Sequence, residues 1–224
     1  VDTVLARRFT GWTGLAAAVA LIVEVPLYFV YSGPPPDSNV LSRLLLGILA
    51  LGFLLLFVTG FREFVKSVDP RYEWAGNFAF AAGISYVLVT LISSGLEAGA
   101  VIAADRPIDP TISVSGTYIL YGSIGRMLLG FFLVALGYAV TKTGALPRWT
   151  GRSAYVLAAV NFAFIPSLFF GNEPSFFYAA NGWGTTASLG AILSYWLLMM
   201  GVVTLRGKRV ATGRLAQGTH RVHG

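Results

Sequence analysis

The sequence predicts an all-α fold: a bundle of six transmembrane helices with the N and C termini on the cytoplasmic side. Three observations carry that expectation. Of the 224 residues, 55% belong to the hydrophobic set and only 12% are charged, whereas soluble domains carry about a quarter charged residues. The apolar residues fall into six runs near the length of about 20 residues that crosses a hydrocarbon core of about 30 Å. Lysine and arginine concentrate on one side of those runs.

The first run covers 12 to 32 and follows Arg7 and Arg8. It exceeds the length of a signal-peptide core and is interrupted by Glu24, so it reads as a spanning helix and not as a cleaved leader. GPPPDSN (33 to 39) cannot continue a helix, because proline lacks the amide donor and clashes with the preceding turn. The second run covers 41 to 61 and the third 75 to 101, ended by DRPIDP at 105 to 110. The fourth covers 117 to 141, and GALPRWTGR (144 to 152) separates it from the fifth, 153 to 171. The sixth covers 186 to 205. Residues 1–206 therefore form one transmembrane domain, followed by a basic cytoplasmic tail over 207–224 that lacks apolar periodicity.

With the N terminus inside, the inner segments hold Arg7, Arg8, Arg62, Lys66, Arg71, Lys142, Arg148, Arg152, Arg206, Lys208, Arg209, Arg214 and Arg221, while the outer flanks hold Arg43 and Arg106. This asymmetry orients a membrane protein, and it also accounts for the net charge of +6 without invoking nucleic acid. Trp12, Trp74, Trp149 and Trp183 fall near the expected helix ends, as in an interfacial aromatic belt. The expected location is the bacterial cytoplasmic membrane, with membrane lipids as partners; oligomeric state is left open.

Absent residues exclude many chemistries. Cysteine is missing, and His220 and His223 lie in the tail, so no helix offers a thiolate, a haem-ligating histidine pair or a Ser-His dyad. There is no HExxH, P-loop or nucleotide-binding glycine fingerprint, and neither a cofactor nor a metal site is expected. Acid-base or electrostatic chemistry by a few charged side chains remains.

Glu24 is expected about 18 Å from the inner boundary and Arg126 about 14 Å from the outer one, levels that nearly coincide. A lone charge at that depth costs at least roughly 2.5 to 3.5 kcal/mol, so each should face the interior and seek a partner. The expectation is a Glu24–Arg126 ion pair joining the first and fourth helices, either as the polar floor of a cavity or as a bridge fixing helix register. Glu97, in SSGLEAG near the outer end of the third helix, reads either as an interfacial carboxylate at an outer vestibule or as an inward group competing for Arg126. Those three are the candidate catalytic residues.

Asn161 in the fifth helix offers an interhelical hydrogen bond. The loop GNEPSFFYAANGWG (171 to 184), with Glu173, Tyr178 and Trp183, suits either a lid over an outward opening or an aromatic belt. Tyr195 and Trp196 in the sixth helix read as cavity lining or packing. These six complete the candidate ligand-binding set.

WTG occurs at 12 to 14 and again at 149 to 151, aligning Glu24 with Asn161; Pro26 and Pro166 follow in the same two helices. This hints at related roles for the first and fifth helices. The stretch KTGALPRWTGRSAYVLAAVNF (142 to 162) resembles the Lys/Ser-Gly-x-x-Pro-Arg entry to the penultimate helix of small multi-pass bacterial membrane proteins grouped as domain of unknown function 4386, and RRFTGWTGL is similar to their basic entry to the first helix. The resemblance implies a six-helix fold and carries no established activity. The leading functional expectation is binding, and acid-base conversion, of a lipophilic small molecule in an intramembrane pocket. A small proton-linked transporter and a noncatalytic subunit of a membrane complex are the alternatives.

Overall fold

A computed structural model of the chain describes residues 2–31 and 33–207. The expected tail beyond Gly207 lies outside the described residues. Among the described residues every regular element is helical, and six helices are long and apolar enough to cross a membrane. Their main α-helical parts are α1 (Thr3–Glu24), α2 (Asp37–Val68), α3 (Glu73–Ala103), α4 (Gly125–Thr143), α5 (Arg148–Ala163) and α6 (Leu189–Arg206), some extended by 3-10 or π-helical turns.

The starts and stops have local causes. Asp2 caps α1, its side chain accepting from the Val4 amide at 2.9 Å. The helix therefore begins about nine residues before the apolar run does, and Trp12 lies inside it and not near its end, 64% exposed on the outer surface. Pro26 withholds the amide that an α-helix needs, and the backbone tightens into a 3-10 helix, Val25–Phe29. Pro166 has the same effect beyond α5, in Ile165–Phe170. Gly144 ends α4 in the left-handed region (φ 64°), with its amide on the Val140 carbonyl.

Each helix packs on the next in sequence, and α1 closes the ring on α6; the contact between α5 and α6 is the thinnest. There Trp196 Nε1 donates to Ser153 Oγ at 2.9 Å. The half of the bundle holding the basic turns is solid, filled by Phe57, Phe61, Leu133, Leu136, Leu197 and Met200, all buried. Close crossings hold it together. A Cβ on Gly201 of α6 would lie 3.0 Å from the Gly11 carbonyl of α1, and one on Gly137 of α4 would lie 3.0 Å from the Gly151 carbonyl of α5. Small residues of this kind let helix backbones meet, which is how helices associate where lipid removes the hydrophobic driving force.

The WTG repeat has a shared physical meaning. In both copies tryptophan faces outward (Trp12 and Trp149, 64% and 44% exposed) while threonine and glycine turn inward (Thr13, Gly14, Thr150 and Gly151 buried). Both helices then pass into a proline-bearing 3-10 segment at the end of the bundle opposite the basic turns.

Candidate functional site

That opposite half is hollow. A cavity of about 350 Å³ lies among α1, α2, α3, α4 and α6 and reaches the connections after α3 and α5. Irregular backbone surrounds it. The 3-10 end of α1 contributes Val25, Tyr28 and Phe29. A π-helical stretch, Leu120–Ile124, leads into α4 and contributes Tyr121; Gly122 within it departs from helical geometry (φ -77°, ψ -112°). A second π-helical stretch, Gly184–Ser188, leads into α6 and contributes Thr186 and Ala187. Irregular helix at membrane depth is tolerated where it lines a cavity, and π-bulges recur at functional sites.

Glu24 stands at the last turn of α1 and lines this space. Tyr28 Oη, one turn on, donates to Glu24 Oε1 at 3.2 Å. The carboxylate rests against Gly47 of α2, where a Cβ would come within 3.1 Å of Oε1 and 3.2 Å of Oε2. The missing side chain at 47 thus makes room for the acid. Arg43, one turn earlier on α2, places its guanidinium carbon 4.3 Å from the Tyr28 ring centre and its Nη2 3.6 Å from Asp109 Oδ1. Asp109 is itself held in a turn by the Thr111 amide (3.1 Å) and hydroxyl (2.8 Å).

Arg126 also lines the cavity but does not meet Glu24. No ion pair joins them within 4.0 Å; those among the described residues are Arg43–Asp109, Arg62–Glu63, Lys66–Glu73 and Arg71–Asp69. The expected pair is therefore corrected. The cation whose field reaches Glu24 is Arg43, and Arg126 faces the phenols Tyr86 and Tyr121. Its Nη1 donates to Asn161 Oδ1 at 3.5 Å, a long contact, and its Nε has no hydrogen-bond partner among the described residues. Sequence depth placed both groups at one level, but a shared level does not by itself bring two side chains together: both line the cavity without pairing.

Glu97 is neither a solvated vestibule residue nor a competitor for Arg126. It is 4% exposed, close to Thr117 and within the field of Arg43 and Asp109, and its Oε1 has no hydrogen-bond partner among the described residues. Asn161 is buried but lies behind Arg126, its Nδ2 bonded to the Leu157 carbonyl at 2.8 Å. Trp183 lines the cavity. Glu173 instead caps its own loop, accepting from Ser175 Oγ at 3.0 Å. Tyr178 donates to the Ala163 carbonyl and packs its ring on Phe164 and Phe170. Tyr195 is 58% exposed and borders a separate cleft of about 90 Å³ between the ends of α1 and α6, and Trp196 is core.

The loop after α5 folds over the cavity as a cap. Its aromatic rings lock together, with Phe177 edge-on to Trp183 (4.6 Å) and to Phe164 (5.8 Å). Asn181, buried at its centre, accepts from Tyr121 Oη and donates to the Thr111 carbonyl, both at 2.9 Å. One side chain thus ties three segments across the cavity mouth.

No protein-family model, characterised protein or solved structure matches the chain. What the site does must then follow from its own residues. Those that sequence reasoning missed are Tyr28, Arg43, Tyr86, Asp109, Tyr121 and Asn181. Arg43 carried a usable signal: in the orientation that the sequence predicts, it and Arg106 are the two cations on the outer flanks. Among the described residues no group of three histidine, cysteine, aspartate or glutamate side chains is placed to hold a metal.

Proposed function

We propose that this chain is a multi-pass protein of a bacterial cell membrane that binds a lipophilic small molecule in the cavity facing Glu24, with the Glu24–Tyr28 pair positioned to exchange a proton with it. The observation that carries this reading is the cavity itself. At about 350 Å³ it falls within the range of about 300–1,000 Å³ typical of small-molecule sites, and it combines apolar walls with a few convergent polar groups. Glu24 and Tyr28 at 3.2 Å form a donor–acceptor couple that can hold a proton and pass it to a reacting group within hydrogen-bond reach.

Transport is the weaker reading. Below the cavity the interior is filled by Phe57, Phe61, Leu133 and Leu197, so the space is closed at one end, as suits a binding pocket. A purely architectural role for Glu24 is disfavoured because the carboxylate faces open space and is not consumed by an interhelical bridge.

Gly190 of α6 lines the cavity, and a Cβ built on it meets nothing within 4 Å. Gly190→Trp should therefore fill the pocket without disturbing helix packing. Native mass spectrometry of protein in nanodiscs titrated with dodecan-1-ol should show saturable binding of one molecule to the wild type and none to Gly190→Trp. Equal uptake by both proteins would contradict the pocket.

A further inference from the structure

Arg126 is 5% exposed, sits on the cavity wall and has no carboxylate within ion-pairing distance among the described residues. Among the described residues its Nε is unpartnered, and the one side-chain acceptor it reaches, Asn161 Oδ1 at 3.5 Å, is neutral. A buried guanidinium cannot shed its proton, so the cost of removing it from water must be met by a counter-charge or by hydrogen bonds. The protein provides little of either. Arg43 differs: its charge is met by Asp109 and its plane rests on Tyr28.

We infer that the ligand of the cavity is an anionic amphiphile, whose acidic head group is the missing counter-ion of Arg126 and whose apolar body occupies the space toward α1 and α6. This rests on the pocket reading above and names its ligand class. Guanidinium presents a rigid fork that matches a planar carboxylate or a phosphate edge with two parallel hydrogen bonds. Tyr86, a phenol beside Arg126, lines the same wall and offers a neutral donor to a remaining oxygen, while the Tyr121 hydroxyl is given to Asn181. Asn161 behind the guanidinium, itself anchored to Leu157, fixes its direction without neutralising it.

The test compares probes of one chain length in nanodiscs by native mass spectrometry: dodecanoate, dodecyl phosphate and neutral dodecan-1-ol. The expected result is that one or both anions bind the wild type at least about tenfold more tightly than the alcohol, as befits hydrogen bonds to a charged group; which anion leads distinguishes a carboxylate from a phosphate head. Arg126→Gln should lower anion binding to the level of the alcohol while leaving the alcohol unchanged. Should that variant fail to fold, Asn161→Asp retains the arginine and places a carboxylate beside it. That substitution should abolish the anion preference equally. If the wild type binds alcohol and anions alike, and Gly190→Trp abolishes both, the pocket stands and the anionic ligand is overturned. If Gly190→Trp abolishes neither, the pocket reading itself fails.

Discussion

Arg43 shows that a side chain's position along its helix does not carry its direction around it. Counted as an outer-flank residue, it is in fact 3% exposed, because α2 begins at Asp37 and turns position 43 inward, and it organises both Tyr28 and Asp109. For Glu97 an interfacial and an inward position were both open, and the structure has it buried, with no ion pair to Arg126 among the described residues. For Glu24 the inward direction was legible, since a carboxylate in an otherwise lipid-fit run must face the interior, but its neighbours were not: Tyr28 bonds it, and among the described residues no ion pair joins it to Arg126. The Arg43–Asp109 pair gives a prediction about stability. Asp109→Leu leaves a buried guanidinium with its charge unmet and should destabilise the protein, by at most about 3–5 kcal/mol, the range for removing one partner of a fully buried ion pair. Adding Arg43→Leu should recover part of that loss, because replacing both partners of a buried pair costs less than stranding one. Thermal midpoints in detergent for the two single variants and the double variant check this; a double variant less stable than Asp109→Leu would contradict it.

At the scale of elements, the six spans were readable from apolar run length, and their order from the breakers between them. Their ends were not. Asp2 starts α1 early through a side-chain cap that the apolar pattern does not register, and the π-helical stretches Leu120–Ile124 and Gly184–Ser188 leave no mark in that pattern either. Pro26 and Pro166 announced irregularity, and the structure assigns both to the hollow end. The close crossing of α1 on α6 at the other end fixes how these helices meet. Gly201→Leu would force a branched side chain against the Gly11 carbonyl, where even a Cβ comes to 3.0 Å. Overpacking of this kind costs about 1–3 kcal/mol. The variant should show a lower thermal midpoint in detergent, and an unchanged midpoint would show that the crossing is not tight.

The whole molecule divides into a solid half and a hollow half, and the division follows the chain's charge asymmetry. The basic turns cap the packed end, where Lys66 meets Glu73 at 2.7 Å and Arg71 meets Asp69 at 2.8 Å; the aromatic cap covers the cavity. The positive-inside rule predicts that the cavity faces the outside. The sequence has no cysteine, so a single cysteine introduced at Ser175 in the cap should react with an impermeant maleimide in intact cells, while one at Thr143 should react only after permeabilisation. The reverse pattern would invert the topology. The central claim is that the hollow half holds a lipophilic ligand against Glu24 and Arg126. Its most direct test is mass spectrometry of the protein released from its own membrane in polymer-bounded lipid discs, with wild type and Gly190→Trp measured side by side. The account predicts one discrete species of fixed mass retained by the wild type after bulk lipid is stripped, and absent from the variant. The same retained species on both proteins, or none on either, would contradict it.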